Sequence, residues 1–193
     1  MTTNLHQQKR DLIHGKLSDI SYLKNATVDQ LQYIAMHTEA LNCSRFEIVF
    51  HKGDASEHIY HVQSGIVKVS VHSYVAKEVI RSIVHANMIF GQASLSGEKE
   101  RSAIAQVLNK NTEILKISSP ALKKIFVQNG AVATDFMEII GNKLRSTESR
   151  LESIIVEDAR TRVINFLKEN AITFGNKVGF NELLLSTVSL SKI

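Results

Sequence analysis

Apolar positions along the chain change period three times, and the changes divide it into parts. From Met1 to Ala26 the sequence is polar and weakly periodic, which predicts a short lead-in helix and a turn. Thr27-Val28-Asp29-Gln30 reads as a capping box, with the Thr27 hydroxyl on the third amide and the Gln30 side chain reaching back. Leu31, Ile34, Ala35 and Leu41 then give the following helix an apolar stripe. Between Phe46 and Ile117 the pattern shortens to that of strands: Glu47–Phe50, Ile59–Val62, Ile66–Val71, Glu78–Val84, Ser102–Leu108 and Thr112–Ile117. Turn residues separate these runs at Lys52-Gly53-Asp54-Ala55, Gln63-Ser64-Gly65 and Asn109-Lys110-Asn111, and no strand carries a proline. Short, regularly spaced strands of this kind imply an antiparallel sandwich or roll.

The helical period returns at Ser118-Ser119-Pro120, where a serine N-cap followed by the only proline of the chain at the first helical position starts a helix over Pro120–Val127. It stops near Gly130, and a longer helix runs from about Ala131 to Val156. Along it Met137, Ile140, Leu144, Thr147, Leu151 and Ile154 recur at alternating spacings of three and four, flanked by Lys143, Arg145, Glu148, Arg150 and Glu152. That is an a/d seam, and the charged flanks favour a partner helix over a sheet as its cover. A homodimer along this helix is the expectation, with a helix lying on its own β-roll as the plainer alternative. Asp158–Glu169 reads as one more helix and Gly175–Leu185 as a hairpin.

Composition narrows the classes. At 193 residues, 44% hydrophobic and 22% charged, the chain can bury a core. The net charge of +4 suits an anionic ligand or nucleic acid without demanding either. No run approaches the about 18 apolar residues of a membrane span, and the polar first ten residues do not read as a signal peptide. One cysteine, Cys43, excludes an intramolecular disulfide framework, fits a cytoplasmic location and cannot supply the about four thiolates of an iron–sulfur cluster. Its plain reading is a small, partly buried residue at a helix end.

Candidate chemistry concentrates in Phe90-Gly91-Gln92-Ala93-Ser94-Leu95 and, after a polar loop, Arg101-Ser102-Ala103. A glycine turn ends an apolar strand, one helical turn follows, and an Arg-Ser pair opens the next strand. Backbone N–H groups, a hydroxyl and a guanidinium together form a cradle for an anion. The planar fork of arginine matches the two non-bridging oxygens of a phosphodiester. Each residue also has a plainer reading: Arg101 as a surface arginine, Ser102 as a turn hydroxyl, Gly91 as a tight turn.

The spacing of this cassette resembles that of the Crp/Fnr transcription regulators. Phe50, Gly53, Asp54, Tyr60, Gly65 and Val67 resemble the pattern that opens that family's β-roll, and the likeness runs from about Leu31 to about Ser186. The resemblance implies an α+β protein in three parts. These are a jelly-roll-like cyclic-nucleotide-binding β-roll with flanking helices over 1–130, a dimerisation helix over 131–156, and a partial winged helix-turn-helix over 157–193. It implies a cyclic nucleotide such as cyclic AMP, or a similar small anion, held by Gly91, Gln92, Ala93, Ser94, Arg101 and Ser102. It also implies adenine contact at Thr147, which would couple ligand to dimer helix. Gln92 stands where cyclic AMP-binding members carry a glutamate that accepts from the ribose hydroxyl; a neutral carbonyl accepts more weakly, by about 1 kcal/mol. DNA and RNA polymerase would be the partners of the full family pattern. After Leu185 too few residues follow for positioning and recognition helices, so weak DNA contact at most is expected of these 193 residues.

Other classes fit less well. His58 and His61 are three apart on one strand and point to opposite faces, so they cannot chelate one metal ion, and no clustered ligand set accompanies them. His72 and His85 read as solvated. A haem sensor needs only one or two axial ligands and stays open on spacing. No nucleophile–base–acid constellation is visible, and the expectation is a protein that is not an enzyme. The alternative is a sensor or interaction module of the same fold that binds neither cyclic nucleotide nor DNA.

Overall fold

A computed structural model of the chain describes residues 11–72, 78–158, 160, 161, 164 and 165. Two four-stranded antiparallel sheets face each other. The first has the order β1-β8-β3-β6, from Thr38–Cys43 (β1), Thr112–Ser118 (β8), His58–Ser64 (β3) and Ile89–Phe90 (β6). The second has the order β2-β7-β4-β5, from Ile48–Phe50 (β2), Ile104–Val107 (β7), Ile66–His72 (β4) and Glu78–His85 (β5). Alternate residues of both sheets fill the space between them with Phe50, Tyr60, Val62, Val67, Val84, Phe90, Ala105, Val107 and Ile114. Gly65 makes the turn from β3 to β4 at φ +93°, where a Cβ would lie 2.2 Å from Thr112 Oγ1, so only glycine fits.

Helices close one side of the roll: α1 over 11–18, α2 (Val28–Met36), α3 (Ser119–Gln128) and the first turns of α4 (Gly130–Val156). Leu17, Tyr22, Leu23, Ile34, Leu122, Ile125 and Val132 are fully buried there. Tyr22 and Phe126 each pack against Phe136, with ring centroids 5.3 and 5.1 Å away. The capping box at α2 is present as read: Gln30 N–H donates to Thr27 Oγ1, and Thr27 N–H to Gln30 Oε1. α4 begins where Asn129 Oδ1 accepts from the Ala131 and Val132 amides.

Two local readings are corrected. The apolar stripe of α2 does not extend to Leu41, because the helix ends at Met36 and Thr38–Cys43 is a strand paired with β8 from Thr38↔Ile117 to Cys43↔Thr112. Cys43 is therefore buried at a strand end. The N-cap of α3 is Ser118, one residue earlier than the proline suggests. Ser119, the residue read as the cap, is buried with its hydroxyl 2.6 Å from that of Ser94 and its amide on Glu57 O.

The chain divides into two compact units, Met1–Ile139 and Ile140–Ile193, the division falling within α4. In the second unit α4 continues to Val156 with Leu144, Leu151 and Ile154 exposed. The helix read over 158–169 and the hairpin over 175–185 fall largely outside the described residues; of them, 160, 161, 164 and 165 are helical. No helix among the described residues is long and apolar enough to cross a membrane.

Candidate functional site

β6 ends at Phe90, and Gly91 turns the chain at φ +71° into a single helical turn, Gln92–Leu95. The following loop returns to Arg101 and Ser102 just before β7. The cassette is thus assembled as its spacing predicts, on the rim of the roll.

Arg101 does not face outward. It is 2% exposed, and its guanidinium lies over the rings of Phe50 and Tyr60, 4.6 and 5.3 Å from their centroids. Nη1 donates to Gly91 O at 3.0 Å and Nη2 donates to His58 O. The fork therefore ties β3 to the glycine turn from beneath. It also explains the glycine: a Cβ at position 91 would stand 2.9 Å from Arg101 Nη1 and 3.0 Å from Tyr60 Cδ2. Two carbonyl acceptors and two aromatic faces offset the cost of burying this charge, while Arg101 Nε is buried without a hydrogen-bond partner. Burial raises the Tyr60 pKa in spite of the positive charge beside it.

Ser94 also turns inward. It is buried, and its hydroxyl is shared among Gly91 O, His58 O and Ser119 Oγ. Gln92 and Ala93 are half-buried. Ser102 is exposed; its amide donates to Glu98 Oε1 at 3.3 Å, and its Oγ accepts from Arg81 Nη1 at 3.1 Å. Glu98 in turn accepts from Ser56 Oγ at 2.9 Å and lies 3.9 Å from Arg101 Nη1. Burial pushes the Glu98 pKa up, but hydrogen bonds from Ser102 and Ser56 and the Arg101 charge outweigh it, and the net shift is downward. Thr147 belongs to the second unit, exposed on α4, with its hydroxyl donating to Lys143 O at 2.9 Å.

Arg81 and Glu98 were not singled out by the sequence reading. The signal for Arg81 lies in β5, where Val79-Ile80, Arg81-Ser82 and Ile83-Val84 break strict alternation. Ser82 pairs with Val69 and Ile80 with Ser70, leaving Arg81 as the extra residue of a bulge.

The histidines divide by burial. His58 and His61 lie on β3 with His61 only 3% exposed, packed edge-on to Tyr22 at 5.9 Å. Burial pushes its pKa down to about 4. His72 is exposed, whereas His85 is half-buried and lowered by burial. No group of three or more candidate metal ligands occurs among the described residues.

The roll, its glycine turn and its Arg-Ser pair define a cyclic nucleotide-binding domain, and residues 41–129 match the family model of that description. The relatives narrow this further. The chain is 29% identical over 115 residues to the Cyclic AMP receptor protein of Thermus thermophilus, covering 60% of this chain and 53% of that protein. It is 24% identical over 127 residues to the Anaerobic regulatory protein of Bacillus subtilis, covering 66% and 53%. By these relatives the chain is similar to regulators of the Crp/Fnr type. It spans about half the length of the curated relatives it matches. Among solved structures, the catabolite activator protein of Thermus thermophilus shares the fold with a TM-score of 0.58 at 22% identity, covering 81% of this chain and 72% of that one. The sensor domain of the regulator DNR from Pseudomonas aeruginosa gives 0.59 at 19% identity, covering 78% and 95%.

Proposed function

We propose that this chain is the effector-sensing part of a transcription regulator, and that a cyclic nucleotide or similar small anionic ligand seats on the Gly91–Ser102 cassette. The observation that carries this reading is the cassette itself: a left-handed glycine, one helical turn and an exposed serine, held on the rim of the roll by Arg101 from below. Gly91, Gln92, Ala93 and Ser102 form the ligand side. Ser94 and Arg101 hold the turn in shape, and Thr147 is the base contact carried by the long helix. The ligand signal passes along α4 of a homodimer to a DNA-binding domain, so that DNA and RNA polymerase are partners of the whole regulator. The relatives are regulators by name, which favours sensing over catalysis.

One observation favours a second reading, a module of this fold that binds no cyclic nucleotide. The fork of Arg101 already serves two backbone carbonyls, so a phosphate reaches it only if the guanidinium leaves the interior. Thermal unfolding with and without nucleotide separates the two. A ligand present at 100 times its Kd stabilises the folded state by about 2.7 kcal/mol, which appears as a rise in Tm. A rise with cyclic AMP or cyclic GMP supports the first reading; coincident curves with both support the second.

The dimer has its own test. Leu144 and Leu151 are 57% and 56% exposed in the isolated chain, a poor state for an a/d pair. Leu144→Glu with Leu151→Glu is expected to convert a dimer to a monomer in sedimentation equilibrium without loss of β-roll signal in circular dichroism. An unchanged mass would remove the helix from the interface.

A further inference from the structure

We propose that the groove between β1 and β2 binds an extended, basic segment of a partner protein by strand addition to β1, with Phe46 as the aromatic anchor. β1 is the edge of the first sheet opposite β6, so the groove lies away from the Gly91–Ser102 cassette. Among the described residues β1 pairs with β8 alone and β2 with β7 alone. Two sheet edges therefore border a cavity of about 380 Å³. Edge strands are commonly blunted by lysine, proline or a bulge. Thr38–Cys43 carries none of these, and its register on β8 runs unbroken.

Phe46 is the observation that gives this edge a use. It lies in the turn from β1 to β2 at φ +70°, the left-handed region in which a bulky side chain is strained. β7 holds the strain in place: Val107 O accepts from the Phe46 amide at 2.9 Å, and Gln106 Nε2 donates to Phe46 O at 3.1 Å. Burial does not offset it, since Phe46 is 58% exposed with the Arg45 guanidinium 4.6 Å from its ring centroid. An exposed aromatic ring beside an arginine is the pairing that protein interfaces favour as an anchor. Beyond the turn, Leu41, Cys43 and Val49 give the groove an apolar floor packed on the core of the roll. Its charged groups are Glu39, Glu47 and Lys116, with both glutamates exposed and Lys116 3.3 Å from Glu39. Two carboxylates against one ammonium favour lysine or arginine in the incoming segment. A strand that alternates apolar and basic residues sets one series on the floor and the other at the rim.

The test uses the full chain and a short fluorescent peptide of alternating lysine and valine, followed by anisotropy. Saturable binding is expected, and none for the glutamate–valine counterpart. N-methylation of alternate peptide amides spares the charge and removes the strand hydrogen bonds, and is expected to weaken binding about tenfold. Phe46→Gly is expected to weaken binding about tenfold while its unfolding midpoint stays level or rises, because glycine relaxes the turn. Glu39→Gln with Glu47→Gln keeps an acceptor for the Ser44 amide. That pair is expected to weaken binding about fivefold, by a factor that shrinks as salt is added. No binding of the lysine–valine peptide, or equal binding of its N-methylated form, overturns strand addition. Unchanged affinity or a lower unfolding midpoint in Phe46→Gly overturns the anchor. Two further results give the groove to another occupant and overturn the partner segment: self-association of the chain that Phe46→Gly abolishes, or peptide binding seen only once residues 1–10 are removed.

Discussion

Replacing Arg101 with leucine is expected to cost about 3 to 4 kcal/mol of folding free energy, even though an arginine in this motif suggests a surface ligand contact. Its side chain is 2% exposed and donates to the Gly91 and His58 carbonyls, two acceptors that otherwise share the single Ser94 hydroxyl. Losing hydrogen bonds from a charged donor costs about 1.5 to 3 kcal/mol each, and the lost cation–π contact with Phe50 and Tyr60 adds to this. Leucine fills part of the volume and removes a buried charge, which keeps the total below the simple sum. Against a domain stability of about 5 to 15 kcal/mol such a loss is severe. Urea unfolding measures it. A change below about 1 kcal/mol would mean that the guanidinium is not an interior tie, and that its ligand role could be tested by deletion. With a large change, Arg101→Leu cannot serve as a control in binding experiments, because failure to bind would report failure to fold.

Acid should destabilise the β-roll well before its carboxylates titrate. His61 is 3% exposed and its pKa is pushed by burial from 6.5 to about 4. The unfolded chain therefore takes up a proton on this side chain as pH falls through 6.5, while the folded chain does so only near pH 4. Stability from this group is fully present above pH 6.5 and is lost as the pH falls to about 4, to a total of about 3 kcal/mol. His58 and His85, both lowered with burial as the leading cause, steepen the same slope. Glu98, lowered in the fold, contributes only at lower pH, where its stabilisation is lost as the carboxylate is protonated. Unfolding free energy measured between pH 7 and pH 4.5 should fall steadily in the unaltered chain and much less in His61→Gln. Parallel profiles would show that the imidazole is solvated in the folded state.

The β-roll was legible because most of its strands are short β-branched runs between turn residues, and because the capping box at Thr27 fixes a local hydrogen-bond pattern. β1 was not legible. Leu41 stands seven residues after Ile34 and so fits a helical face; what makes Thr38–Cys43 a strand is its pairing with Thr112–Ile117, distant in sequence. The cap of α3 moved for a similar reason, since Ser119 is held by Ser94 and by Glu57 O across the fold. At the site, residue types and spacing placed the cassette, but the facing of each side chain depends on partners from other strands. Arg101 turns inward because Phe50, Tyr60 and two carbonyls receive it, and Arg81 approaches because a bulge in the β4–β5 ladder displaces it. The slipped alternation in β5 carried that information, although nothing local tied it to Ser102.

The central claim is that a small anionic ligand, a cyclic nucleotide first among them, binds on the cassette formed by Gly91–Ser102. Isothermal titration of the full chain with cyclic AMP and cyclic GMP tests it most directly. The account predicts saturable heat with one of them, weakened in Ser102→Ala while the unfolding midpoint of that variant stays close to that of the unaltered chain. Absence of heat with either nucleotide, from a protein shown to be folded, would contradict cyclic nucleotide sensing and favour the module that binds none.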